Sequence, residues 1–334
     1  MPLNPTMDVA DFLIIGAGLA GIAAAADLGR AGATVAVVDK GRAVGGRAAT
    51  RRIGGQPIDH GAQFCTARTD RFKDLLEQGS SEGWARIWCH GYPVWRDGRV
   101  HPRDDGHPRW TFPDGIRTLP ERIGEGLTVG TETTVQSVGR DAHGIWVAKD
   151  TLGNIATGRR LVLNLPPAQL LNVAGNALPE WMRGCVGDCR LAPCWAVAGL
   201  LEREFDGDWP AIELENHPCL AWVARDHTRR ALGAAPAAVL HARGDWSESH
   251  LEETPEKVQS ILSGEARELF GIEFSEQIRV HRWRYAKPEI SVGEPFLLDR
   301  GLGVGVCGDW CTGGRVEGAL VSGWGLAAAL LEPS

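Results

Sequence analysis

The stretch Phe12-Leu-Ile-Ile15-Gly16-Ala-Gly18-Leu-Ala-Gly21-Ile22 decides the fold class. A short apolar run meets glycines spaced G-x-G-x-x-G, and an alanine-rich run from Ile22 to Gly29 follows, closed by Arg30-Ala-Gly32. The order is strand, tight turn, helix, with Gly32 where a helix C-terminus favours glycine. Thr34 to Val38 then makes a second β-branched strand that ends on Asp39 and Lys40. In such a βαβ unit Gly16 permits the turn, Ala17 and Gly18 bring backbone to a pyrophosphate, and Gly21 lets the helix lie close to the strand. Asp39 suits a ribose hydroxyl. A Rossmann-type dinucleotide-binding unit is therefore predicted.

Working outward, 334 residues exceed one ordinary core, so two domains are expected. Apolar residues at 43% and charged residues at 23% fit a globular chain, and no run reaches the ~18 apolar residues of a membrane span. A net charge of −7 argues against a nucleic-acid partner. Met1 to Met7 carries neither the basic nor the apolar part of a secretory signal, so a cytoplasmic location with reduced thiols is expected. The spacings Cys185-x3-Cys189-x4-Cys194 and Cys307-x3-Cys311 lack the two-residue gaps of a zinc ribbon, and no metal is expected.

The remaining chain alternates in character. Arg42 to Phe64 reads as Gly- and Arg-rich loop leading to a strand near Ile58, and Thr69 to Gln78 as a helix. Thr133 to Val138 and Ile145 to Ala148 read as a hairpin turning at Asp141-Ala-His-Gly144; Leu161 to Leu165 is a buried strand that Pro166-Pro167 ends. Trp195 to Leu200, Leu220 to Ala224, Ala238 to Ala242 and Ile278 to Trp283 read as a separate antiparallel sheet, with a helix from Pro255 to Phe270. Val304 to Cys307 returns as a strand before an apolar helix, Val316 to Leu331. The expected architecture is α/β, with a Rossmann-type cofactor domain in 8–66, 120–175 and 290–334. An interleaved antiparallel-sheet substrate domain takes 67–119 and 176–289.

Further features select FAD among dinucleotides. Gly45-Gly46-Arg47 follows the second strand, where an arginine can cover a pyrophosphate from the side opposite the helix. Asp59-His-Gly61-Ala62-Gln63-Phe64 brings Gly61 to a strand end, where backbone can approach a flat ring. Gly308-Asp309 follows the last strand and aims a carboxylate at a polyol; Val135 is a further cofactor candidate from the hairpin. The last helix opens at Arg315-Val316-Glu317-Gly318, and its positive end suits the flavin edge that gains charge on reduction. Gly318, Gly323 and Gly325 each cost ~1 kcal/mol in a helix, which implies close packing against the flavin or a strand.

In Asp59-His-Gly-Ala-Gln-Phe-Cys-Thr-Ala-Arg68, Leu240-His-Ala242, His281-Arg-Trp-Arg-Tyr-Ala-Lys-Pro288 and Cys307-Gly-Asp-Trp-Cys-Thr-Gly-Gly-Arg-Val-Glu-Gly-Ala319, the chain resembles the renalase-like branch of the flavin amine oxidase superfamily. It departs at Phe64-Cys65, where an aromatic pair is usual, and in Arg109 to Pro113. The resemblance implies a p-hydroxybenzoate-hydroxylase-like architecture and non-covalent FAD. It further implies oxidation of 2- or 6-dihydronicotinamide dinucleotides, with O2 taking the electrons to give H2O2.

Hydride transfer to a flavin needs alignment more than a base, so the lack of a nucleophile–base constellation agrees with that activity. The candidate catalytic residues are His241, Trp283 and Tyr285, with Phe64 and Trp110 as further lining and Arg109, Arg225 or Arg284 as partners for a substrate pyrophosphate. Trp283 and Tyr285 are expected on one strand face, with His281 apart from them. An amine oxidase of the wider superfamily is the alternative activity, although Tyr92 and Tyr285 are the only tyrosines for an aromatic cage. A non-catalytic flavoprotein is the alternative of another class.

Overall fold

The computed structural model describes residues 9–332, so the stretch from Met1 to Met7 lies outside the described residues. The chain forms two compact units. The first comprises Met1–Ala48, Leu119–Leu191 and Pro288–Ser334, and the second Ala49–Thr118 and Ala192–Lys287.

In the first unit the long strand Asn154–Leu163 organises the sheet. Along one edge it pairs in parallel with Ala10–Ile15, which pairs in turn with Val35–Val38. Along the other it meets first the antiparallel strand Trp146–Lys149 and then, in parallel, Val304–Val306. Parallel strands bury both faces, and the sequence supplies continuous apolar runs for them. Leu13, Ile15, Leu161, Leu163, Val304 and Val306 accordingly share one core cluster. The helix Val316–Leu331 packs on the helix Leu19–Arg30, and the fit depends on glycine: a Cβ at Gly323 would sit 2.2 Å from the Ala20 carbonyl oxygen. The close approach at Gly323 is thus to a helix, while Gly318 lies against Thr312 and Gly325 against Phe296.

The second unit is built on a sheet in the order Phe274–Ile290, Arg190–Leu201, Ala237–Ala242, Leu220–Arg225, Ala211–Leu214, Val94–Arg96, Arg99–His101. Side chains alternate across it. Trp195, Val197, Val223 and Leu240 point to one face, which Val258, Leu262 and Ala266 of the helix Pro255–Phe270 cover. Ala198, Ala237 and Val239 point to the other, against Ile53 and Ile58. Those isoleucines belong to a hairpin of Thr50–Ile53 and Gln56–Asp59, where only a loop and one strand were expected.

That packing places 49–66 in the second unit. Leu178, Met182 and Val186 join the first unit's core, so 176–191 falls there. The strand expected from Thr133 is shorter, Ser137–Arg140, and Pro167 opens a helix to Ala174 instead of closing a strand, proline being favoured in a first helical turn.

One buried ion network fixes the end of that hairpin. Asp226 and Arg229 are fully buried, with Arg230 and Asp59 nearly so. Arg229 and Arg230 reach the Asp226 carboxylate at 2.6 and 2.8 Å, and Arg230 also reaches Asp59 at 2.9 Å. Burial opposes the Arg230 charge, and Asp226 and Asp59 more than offset it, so its pKa rises. Removing one partner of such a cluster leaves an uncompensated buried charge, at a cost of about 3–5 kcal/mol. Asp226→Ala should therefore lower the denaturant midpoint strongly, while Asp206→Ala, on an exposed bend, should leave it within error.

Candidate functional site

The cofactor candidates of the first unit converge on the glycine turn. Gly16 has φ +100°, and a Cβ there would lie 2.1 Å from the Asn164 carbonyl oxygen. A Cβ on Gly21 would lie 2.1 Å from the Gly16 oxygen, and one on Gly18 would lie 2.6 Å from the Asn164 Oδ1. Asn164, directly after the long strand, donates from Nδ2 to the Cys307 carbonyl at 3.0 Å. Its Oδ1 is buried with no hydrogen-bond partner. Sequence reasoning missed this residue, whose only signal is its place between Leu163 and Pro166.

Gly45-Gly46-Arg47 folds back on the turn. Gly45 donates to the Ala17 carbonyl at 2.8 Å, and a Cβ on Gly46 would meet the Gly18 Cα at 3.3 Å. Arg47 and Asp309 form an ion pair at 2.5 Å, joining two candidates 262 residues apart. The Asp39 carboxylate accepts from the Ala17 and Gly41 amides at 2.6 Å each. Lys40 instead turns to Gln169 at 2.9 Å, and Val135 lies in loop, packed against the core. Gly308 donates to the Ser322 hydroxyl at 2.9 Å; Arg315 caps the last helix, which starts at Val316 and buries Glu317. Gly318 sits one turn in.

Bare backbone from Gly16 to Gly21, a helix N-terminus behind it and an arginine form a cradle suited to a dinucleotide pyrophosphate. Two family descriptions match the chain: "NAD(P)-binding Rossmann-like domain" over residues 14–78, and "Flavin containing amine oxidoreductase" over residues 97–331. The chain belongs to the flavin-containing amine oxidoreductase family. Its cofactor is accordingly FAD, and the glycine turn, Arg47 and Asp309 have the chemistry to hold it.

A Mycobacterium tuberculosis protein provisionally named flavin-containing monoamine oxidase AofH is 46% identical over 96 residues, which are 29% of this chain and 19% of that protein's length. A provisionally named protoporphyrinogen oxidase from Exiguobacterium sp. 255-15 has a similar structure, with TM-score 0.76, 14% identity, and coverage of 97% and 99% of the two chains. Cyclohexylamine oxidase from Brevibacterium oxydans IH-35A has TM-score 0.72 at 15% identity, with the same coverage. Such likenesses show the fold. No helix among the described residues is long and apolar enough to cross a membrane.

In the second unit, a cluster of rings forms around Trp283. The odd positions 281, 283 and 285 share one strand face, since a two-residue step returns to the same side. His281, expected apart from Trp283, in fact lies against it, with ring centroids 4.1 Å apart. His60 stacks on Trp283 at 5.4 Å and meets His281 edge-on at 5.0 Å, and Trp283 Nε1 donates to the His60 carbonyl at 2.9 Å. His241 Nε2 and His60 Nδ1 are both buried without a hydrogen-bond partner.

Burial pushes His60 down to about 3, helped by His281 and Arg51, and burial pushes His241 and His281 down to about 4. All three are neutral near pH 7. Tyr285 follows, half-buried, on the same face.

The other candidates are held by protein partners. Gln63 donates to the Asp59 and Gly61 carbonyls at 2.7 and 3.0 Å and accepts from Trp222 and Arg229, so its side chain braces the Asp59–Phe64 loop. Gly61 and Ala62 lie within that loop. Phe64 clusters with Trp88, Tyr92 and Trp222 under the Arg109 guanidinium. Arg109 pairs with Asp105, Arg225 with Glu204 and Arg284 with Glu252. Trp110 bridges to Cys65. His217, Cys219 and Glu265 also gather, yet His217 Nδ1 accepts the Leu220 amide and its Nε2 faces Glu265.

Gly18→Val should abolish FAD retention on gel filtration, because the side chain fills the approach to the pyrophosphate, and Asp309→Ala should weaken retention by removing the carboxylate that positions Arg47. The histidines predict a pH effect. Their folded pKa values lie below the ordinary 6.5, so the unfolded chain binds more protons as pH falls from about 6.5 to 4. Stability should thus drop across that window. His241→Asn should flatten the slope, as read from urea midpoints at pH 7 and pH 5.

Proposed function

We propose that the protein is an FAD-dependent oxidase that removes hydride from a carbon bonded to nitrogen, with O2 as acceptor and H2O2 as product. Residues of the first unit hold FAD and residues of the second hold the donor. When bound, FAD supplies the hydride acceptor at N5.

The observation that carries the reading is the neutral His60, His241, His281 and Trp283 group. Hydride can leave such a carbon only when the adjacent nitrogen keeps its lone pair to stabilise the cation left behind. A site of neutral imidazoles favours that unprotonated form. Asp59, the carboxylate acting on His60, is occupied by Thr50, Ile116 and Arg230, so it is not available to stabilise an ammonium ion. His241 Nε2 is buried without a protein partner, and in a neutral imidazole it suits a donor N–H and can set the donor's position.

Family membership supports an amine as donor. The renalase-like reading, oxidation of 2- or 6-dihydro-NAD(P), has its own support in the flat Trp283 indole and in the resemblance over His281 to Pro288 and Cys307 to Ala319. Its ring nitrogen likewise carries a free lone pair. Eight unpaired cysteines support a reducing, cytoplasmic setting.

Anaerobic mixing with primary and secondary amines, with the dihydronicotinamide isomers and with ordinary NADH should bleach the flavin fastest for one of the first two classes. Peroxide should form in equal amount on admitting air. His241→Ala should keep FAD and slow bleaching by about a hundredfold, the cost of a misplaced donor. Bleaching by none of these, or equal FAD loss in the variant, would sink the assignment.

A further inference from the structure

Arg51 stands out among the second unit's arginines. It is half-buried, yet it has no hydrogen-bond or ion-pair partner among the described residues. Arg86, Arg109, Arg117, Arg229 and Arg230 are all engaged by carboxylates, hydroxyls or carbonyls. A partly desolvated guanidinium left with no partner is costly unless it has another use.

Hairpin register shows where it points. Arg51 lies opposite Ile58, and Ile53 opposite Gln56, so Arg51 shares a face with Ile53 and Ile58. That face packs on Ala198, Ala237 and Val239 of the sheet. On the same side of the sheet stand His241, two residues beyond Val239, and His281, four residues beyond Gln277. Gln277 faces the hairpin's own turn, with its Oε1 2.4 Å from where a Cβ on Gly54 would sit. Burial lowers both His60 and His281, and the Arg51 charge adds to that lowering. His60 is 8% exposed and its Nδ1 lacks a partner.

We propose that Arg51, His60 and His281 form a subsite for anionic oxygens of the donor, a carboxylate or a phosphate. Arg51 supplies the charge and a planar fork of N–H donors, and the neutral imidazoles supply further N–H groups without adding charge. Trp283 closes one side as an apolar wall. Asp59, the nearby carboxylate, is neutralised by Arg230 and so does not repel the ligand. Arg51 thereby becomes a specificity residue: it selects donors that carry an anion beside the oxidisable nitrogen centre. This rests on the reading that the second unit binds the donor.

The test uses the full chain loaded with FAD and two probes, inorganic pyrophosphate and benzoate, titrated by calorimetry. At least one probe should bind the parent protein, bind Arg51→Gln about tenfold or more weaker, and recover in Arg51→Lys. Preference for pyrophosphate marks a phosphate-bearing donor and preference for benzoate a carboxylate. His281→Asn, on a different element, should weaken the same probe, which keeps the test open if Arg51→Gln misfolds. No binding to the parent protein, or equal affinity in parent and variants, overturns the subsite. Retained binding with no donor able to bleach the flavin would overturn the oxidase and leave the subsite standing.

Discussion

Everything in the first unit depends on how closely residues 16–21 approach Asn164. Three side chains are missing where the glycine turn meets that residue and its own carbonyl, and any Cβ there would lie well inside contact distance. The parallel pairing of Ala10–Ile15 with Asn154–Leu163 sets the two segments side by side, and the Asn164 backbone N–H donates to the Ile15 carbonyl at 2.8 Å. The turn, the helix behind it and the return strand carrying Cys307 are thus tied to one polar side chain. Asn164 is the hub that lets an N-terminal motif and a C-terminal segment share one cradle, and Arg47 with Asp309 repeats that link by charge.

Local signals made much of this legible. The helices Pro255–Phe270 and Val316–Leu331 appear at their expected bounds because proline at the first turn of one, a glycine C-cap behind it and unbroken apolar content in the other are local features. What escaped depends on distant partners. The hairpin of Thr50–Ile53 and Gln56–Asp59 carries only Ile53 and Ile58 as large apolar residues, and their burial comes from the sheet beneath them. Asp226, Arg229 and Arg230 read as surface charge in sequence. They are buried because Asp59, 167 positions earlier than Asp226, completes their network.

The candidate site shows the same division. His241 and Trp283 were legible as residues of interest, but His60 was not, since it lies 223 positions before Trp283 and is joined to it through its backbone carbonyl. The three arginines expected to meet a substrate pyrophosphate each have an acidic partner on their own unit. The unpartnered one lies in a segment that reads as loop. Sequence identifies which residues are cations; pairing, which is a property of the fold, decides which cation remains free to bind a ligand.

Fold and family leave the donor open for a physical reason. The solved structures with this architecture share about a seventh of its residues, so what they hold in common is the arrangement of strands and the glycine cradle. Donor choice rests instead on a few side chains of one sheet face, and charge is the property that distinguishes them. A face that bound a diamine would need carboxylates free of internal partners. Here the carboxylate nearest the histidines is neutralised from within and the uncommitted charge is an arginine. On the proposed reading, the balance on that face favours a donor with a neutral nitrogen centre and an anionic arm, a combination that an amine bearing a carboxylate and a dihydronicotinamide bearing phosphates both satisfy.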